Sequence, residues 1–294
     1  MKPKVYFTKE ITPESLIKIY EALGVELDGK VAVKVSTGER GAKGYLKADL
    51  IASLVKKLNG TIVECNTAYD GARNFADEHL EVAKEHGFDF TDIDIMDADG
   101  DMKIPVKSGK HLEYDLVGKH LENYDSVLNL AHGKGHAMGG FGANLKNQSI
   151  GIASRNGKAY IHSAGKSEDA KTLWNNLPAE QLDFIESMAE AAKAVADYCA
   201  DNGKKIAYIT VMNAISEDCD CDAHQGDPVM ADLGIVGSLD PVANDQAFLD
   251  MVWNSEDPGK DKLIERITSR EGEKITKYAE QIGLGSTDYE LVEL

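Results

Sequence analysis

The chain's 294 residues are enough for one large domain or two small ones, and 43% hydrophobic with 28% charged residues and no low-complexity tract describe a folded chain, not a disordered one. Acidic side chains number 50 against 32 basic ones, and the net charge of -18 repels nucleic-acid backbones and anionic membrane surfaces, excluding both as partners. The opening MKPKVYFTKEITPES holds no apolar signal core, and no window approaches the ~20 apolar residues of a membrane helix, so the expected location is cytoplasmic and the expected thiols reduced.

In chain order, KVYFT at 4–8 reads as a strand, and Thr12-Pro13-Glu14 opens a helix with an N-cap oxygen ahead of a proline that needs no N–H partner. KVAVKVS and GTIVEC are further strands. Residues 93–117 alternate in short runs broken by Asp-Gly and Ser-Gly signals, the pattern of a small antiparallel excursion. DSVLNLA is a strand, and Pro178 to Asn202 forms one Ala-rich helix whose stripe runs from Leu182 through Ile185, Met188, Ala192 and Val195 to Cys199. KIAYITVM and DLGIVGS close the strand set, and Asp240-Pro241 opens a second well-capped helix. Apolar runs alternating with amphipathic stretches predict an α/β fold, a layered and mostly parallel sheet flanked by helices, as a single domain over 1–294 without internal repeats.

Three segments carry residues suited to chemistry. Lys34 to Val55 is a strand, a loop with Gly38, Gly41 and Gly44, then a helix; Arg40, Lys43 and Lys47 add charge for an anion, although no phosphate-loop or dinucleotide motif is matched. Leu128 to Asn147 delivers His132, Lys134 and His136 to the carboxyl edge of a parallel sheet, where open α/β folds place ligands. Gly139, Gly140 and Gly142 there permit close approach, and Lys134 and Lys146 are candidate anion-holding or catalytic cations. So many glycines argue against a helix-borne histidine pair, and a loop with one structural histidine is the alternative.

In Val211 to Phe248, Cys219 and Cys221 are two apart, so an extended backbone points both thiols the same way, with His224 a short turn later. Asp218, Asp220 and Asp222 are expected to accept hydrogen bonds from the ligating groups or to supply oxygen ligands themselves, and they raise thiol pKa unless a cation is near. The plainer alternative is an acidic surface loop. Asp240 has a capping role, and Asp245 with Gln246 reads as solvent-facing, both being secondary site candidates.

The segments HGKGHAMGGFGANLKN, IGIASRNGK, DCDC, DLGIVGSLDPVANDQ and YAEQIGLGSTDYELVEL, in that order over almost the whole chain, resemble the domain-of-unknown-function family 362, DUF362, whose members are often described as iron-sulfur centre proteins. The resemblance implies a ferredoxin-like insertion near 160–180, but AYIHSAGKSEDAKTLWNNLPAEQ has no cysteine, which excludes a ferredoxin-type cluster there by ligand count. Ser149-Ile150-Gly151-Ile152 likewise stands where relatives carry Gly-Met-Gly-Cys. The remaining expectation is one zinc or iron ion on Cys219 and Cys221 with one or more of His132, His136 and His224, in a metal-dependent enzyme acting on a small anion. Two alternatives stay open: an iron-sulfur redox protein, with a cluster shared across a homo-oligomer as one arrangement, and a non-catalytic protein with a closed zinc staple.

Overall fold

The computed structural model describes residues 2–107, 109–172 and 180–294. Its strands are β1 (Lys4–Thr8), β2 (Val31–Lys34), β3 (Thr61–Glu64), β4 (Ile93–Ile95), β5 (Asp101–Pro105), β6 (Tyr114–Gly118), β7 (Ser126–His132), β8 (Lys134–His136), β9 (Gly140–Gly142), β10 (Lys205–Met212), β11 (Gly234–Ser238) and β12 (Glu290–Glu293). Its helices are α1 (Pro13–Ala22), α2 (Ala48–Lys57), α3 (Ala76–Glu85), α4 (Asn144–Gln148), α5 (Arg155–His162), α6 (Gln181–Asp201), α7 (Pro241–Asn254), α8 (Lys260–Ser269) and α9 (Lys274–Gln281). All six expected strands are present.

Eight strands form one sheet in the order β12-β1-β11-β10-β7-β2-β3-β4. Every neighbouring pair is parallel except those made by β11, which runs against both β1 and β10. The central strands read as continuous apolar runs because both faces are covered. Val31, Val33, Leu128 and Leu130 pack on one side with Leu16 and Ile19 of α1 and Ile51 and Leu54 of α2. Ala32 and Val127 point the other way, into a cluster with Val195 and Cys199 of α6. The alternation is the two-residue period of a strand, and it yields helix, sheet and helix layers.

Both proline-opened helices start as read: Thr12 accepts from the Ser15 amide, and Asp240 accepts from Val242 and Ala243. The antiparallel excursion is narrower than the expected 93–117. Only β5 and β6 form it, while β4 joins the main sheet parallel to β3. The crossover through α3 brings the chain back in the same direction, as a parallel connection requires. In α6 the stripe from Ile185 to Cys199 is buried; Pro178, the expected start, lies outside the described residues. Among the described residues no helix is long and apolar enough to cross a membrane.

Candidate functional site

From β2 the chain fills one side of the sheet with β3 and β4, then returns to place β7 and β10 on the other side. That reversal between β2 and β7 opens a crevice at the strands' carboxyl ends, the usual ligand position in open α/β sheets. A cavity of about 650 Å³ lies there. Lys34 ends β2, Glu64 ends β3 and His132 ends β7; Lys134, His136, Lys146, Cys219 and Cys221 complete the working wall.

Lys146 is held by helix α4, which is too short to be stable alone. Its first turn is capped from a distance: the Asp245 carboxylate on α7 accepts from the Asn144 amide at 2.8 Å and the Leu145 amide at 2.9 Å. The Asn144 side chain then bonds to Thr210 of β10 at 2.7 Å and Asn244 at 2.8 Å. Asp245 is therefore buried, against the expectation that it faces solvent, and burial pushes its carboxyl up to about 7 despite the two amides. Its neighbour Gln246 accepts from Thr276 and donates to Asp250.

Most charges around the cavity are matched. Lys134 meets Asp220 at 2.8 Å, and Arg73 lies 3.4 Å from Glu64 and 3.5 Å from Glu39. Burial opposes ionisation of Asp220, but Lys134 and His132 overcome it and hold the carboxyl far below the usual range. Glu64 behaves likewise, with Lys34, Arg73 and His79 outweighing its burial. Lys34 is buried, 3.7 Å from Glu64, and donates to Asn147 Oδ1 and the Val35 carbonyl at 3.1 Å each. Burial lowers it to about 8, with Glu64 opposing.

Lys146 differs: it forms no ion pair among the described residues. Its polar neighbour is Cys219 Sγ, 4.0 Å from Nζ. Desolvation and the repulsion of Lys134 bring it down to about 7, with Asp220, beyond ion-pair distance, opposing. An amine that titrates near neutrality, facing a cavity, is suited to moving protons.

The structure brings together part of the expected ligand set. Ring nitrogen or sulfur atoms of His136, Cys219 and Cys221 lie within 4.8 Å of one another. Cys219 and Cys221, expected as reduced thiols, are joined in a disulfide, while Cys65 and Cys199 are free and buried. His136 Nδ1 accepts from the Gly139 amide at 2.8 Å and from the Met138 amide at 3.3 Å, so its Nε2 carries the proton. Burial, with Lys146 and other cations nearby, keeps that ring neutral by lowering its pKa well below the ordinary value. Two sulfurs spent on each other, a ring nitrogen already bonded and two flanking lysines do not fit a bound zinc or iron ion in this state.

His132 is withdrawn from the expected ligand set by its own bonds, Nδ1 to Asp220 at 2.9 Å and Nε2 to the Asn213 carbonyl at 2.6 Å. His224 is exposed and lies off the cavity wall. Of the three aspartates, Asp218 pairs with Arg266 at 2.7 Å, Asp220 orders Lys134 and His132, and Asp222 accepts from the His224 amide in a turn. A second cluster, His111 with Asp183 and Glu186, lies outside the cavity, and Lys110 occupies Glu186 at 2.8 Å.

The expected anion loop spends five of its amides and two of its cations within the protein. The amides of Thr37, Glu39, Arg40, Ala42 and Gly44 all have protein acceptors. Arg40 is committed to Glu78 and Glu85 of α3, and Lys47 bonds the Lys43 carbonyl and sits over the Tyr45 ring. Gly41, at φ 97°, turns the chain past Ala223, and Lys43 is exposed and outside the cavity wall. Gly139 serves His136, and Gly140 packs on Ile267 and Gly272, so neither is free to cradle an anion. Sequence reasoning missed Lys34, Glu64, Arg73 and Asn147. A charge ending each of the apolar strands VAVK and TIVE was the available signal.

The family model for a domain of unknown function, DUF362, matches residues 31–250. No curated protein matches the chain. Among solved structures it is similar to a protein from Thermotoga maritima, at 13% identity and a TM-score of 0.41, covering 89% of this chain and 59% of that one. It is also similar to the lactate racemase apoprotein from Thermoanaerobacterium thermosaccharolyticum, at 14% identity and a TM-score of 0.48, covering 86% of this chain and 57% of that one. The chain thus spans less than two thirds of either structure.

Proposed function

The chain belongs to the DUF362 family of domains of unknown function, and from that premise we propose that its cavity binds a small carboxylate or phosphate, with Lys146 carrying a proton to or from it. One observation carries the reading: Lys146 faces the cavity without a carboxylate partner, whereas Lys134 and Arg73 beside it are neutralised. An incoming anion supplies the missing charge, and a cavity wall of low dielectric strengthens that attraction. Lys34, fixed by Asn147, is a second amine on the same wall. The protonated Nε2 of His136 adds a neutral donor.

The pH dependence has a definite sign. An anion favours the ammonium form of Lys146, and because the free amine titrates at about 7, affinity rises as pH falls from 8 to 6. Calorimetry with inorganic phosphate, pyruvate and oxalate tests the reading: at least one should bind, and Lys146→Met should weaken that binding at least ~10-fold. Binding indifferent both to pH and to Lys146 would reject it. Stoichiometric zinc or iron on Cys219 and Cys221, in protein purified under reductant, would replace it with a metal-dependent mechanism.

A further inference from the structure

The Cys219–Cys221 bridge is in the wrong place to be a staple. It closes a loop of sequence separation 2, which restrains little of the unfolded chain, so stability is not its main contribution. It lies instead on the cavity wall, with Cys219 buried and Cys221 half-buried. Cys65, on the same wall, donates to the Ile152 carbonyl at 3.2 Å and remains a separate free thiol.

We propose that Cys219–Cys221 is an exchangeable disulfide for low-molecular-weight thiols, with Cys219 as the departing sulfur and Lys146 as the cation that receives its charge. The two sulfurs are not equivalent. Cys221 is the more accessible for attack, whereas Cys219 Sγ has Lys146 Nζ at 4.0 Å and accepts from the Cys221 amide at 3.3 Å. Both contacts favour negative charge on Cys219. Of the flanking carboxylates that would oppose it, Asp218 is paired with Arg266 and Asp220 with Lys134, while Asp222 is exposed to solvent and accepts from the His224 amide. The neighbouring cations thus remove the objection that a Cys-Asp-Cys sequence otherwise raises.

In the exchange a small thiolate forms a bond to Cys221 Sγ, the Cys219–Cys221 bond breaks, and Cys219 leaves as a thiolate beside the Lys146 ammonium. A second small thiolate then attacks its fellow in the mixed disulfide, releasing a small disulfide and the Cys221 thiolate. Two small thiols are oxidised by two electrons, and the protein disulfide is reduced by two. Reversal with a small disulfide restores the bridge. The inference shares the cavity with the anion-binding reading but does not depend on it.

The test uses the full chain in glutathione buffers of stepped oxidised-to-reduced ratio, with acid quench, alkylation and mass analysis. Cys219 and Cys221 should pass together between bridged and dithiol forms, while Cys65 and Cys199 stay reduced. A dithiol persisting at every ratio would overturn the proposal. In the reduced protein, with no anion present, the absorbance of the thiolate should show Cys219 titrating below the ~8.5 of free cysteine. Lys146→Met should cut its thiolate fraction at pH 7 by about tenfold, and Lys146→Arg should retain it. An ordinary titration in the unmutated chain sinks the assignment, even where a variant fails to fold. Failed anion binding with intact exchange rejects only the earlier reading; anion binding without exchange rejects only this one.

Discussion

Segments 35–47 and 133–147 leave the same edge of the sheet, and each combines glycines with basic side chains, yet their cations end in opposite circumstances. In the first, α3 supplies Glu78 and Glu85 to Arg40, and the amides of Thr37, Glu39, Arg40, Ala42 and Gly44 find acceptors inside the protein. In the second, Asp220 pairs with Lys134, whereas Lys146 forms no ion pair among the described residues and feels Asp220 only from beyond ion-pair distance. The difference teaches that a basic glycine loop becomes a binding surface only where nearby carboxylates are already committed elsewhere. Charge near a cavity is common; charge without a protein partner is the informative case.

The largest expected effect comes from removing the anion that settles the second segment. Asp220→Asn leaves Lys134 buried without its partner and should cost about 3–5 kcal/mol at pH 7, measured by urea unfolding. Because the native carboxyl is held below its ordinary value, its contribution is complete above the unfolded carboxylate pKa and is lost as pH falls through the native one. The gap between parent and variant should therefore be constant from pH 8 to 5 and narrow below about 4. A gap of under 1 kcal/mol would show that Lys134 finds another anion.

Lys146→Met should act with the opposite sign. The native amine is depressed, so burying it as a cation costs stability progressively as pH drops from the unfolded value of 10.5 to about 7, and fully below that. Replacement by a neutral side chain should stabilise the fold by on the order of 2 kcal/mol at pH 6 and by little at pH 10, while anion affinity falls. Thermal unfolding at both pH values checks it. Equal shifts would mean that methionine packing, rather than charge, produces the gain.

Much of the fold was legible because its signals are local. Thr12 meets Ser15 three residues away, Asp240 meets Val242 and Ala243, and the apolar runs of β2, β7 and β10 are contiguous. The site was legible only as a set of segments. Whether a cation is spent depends on distant partners: Lys134 on Asp220, Lys34 on Glu64 and α4 on Asp245. Asp245 shows the limit well, since nothing in its own helix indicates that it caps another one. The Cys219 and Cys221 pair was visible as chemistry, but its bridge and the distant Lys146 and His136 beside it were not legible in the local sequence.

Asp245→Asn gives a smaller effect, because an asparagine oxygen replaces two carboxylate oxygens: about 1 kcal/mol of stability should be lost, with anion affinity lowered as α4 lets Lys146 shift. An unchanged affinity would separate the cap from the site.

Arg40→Gln completes the comparison from the other segment. Arg40 lines the cavity, so on proximity alone it would rank with Lys146 as an anion-binding cation. Its exposed side chain, however, is held by Glu78 at 3.0 Å and Glu85 at 2.9 Å, and an incoming anion would have to displace two carboxylates to use it. Phosphate or carboxylate affinity should stay within about twofold of the parent, as expected for an exposed pair screened by solvent. A tenfold loss in the same calorimetric assay would mean that Arg40 leaves α3 to meet the ligand, and the distinction drawn between the two segments would fail.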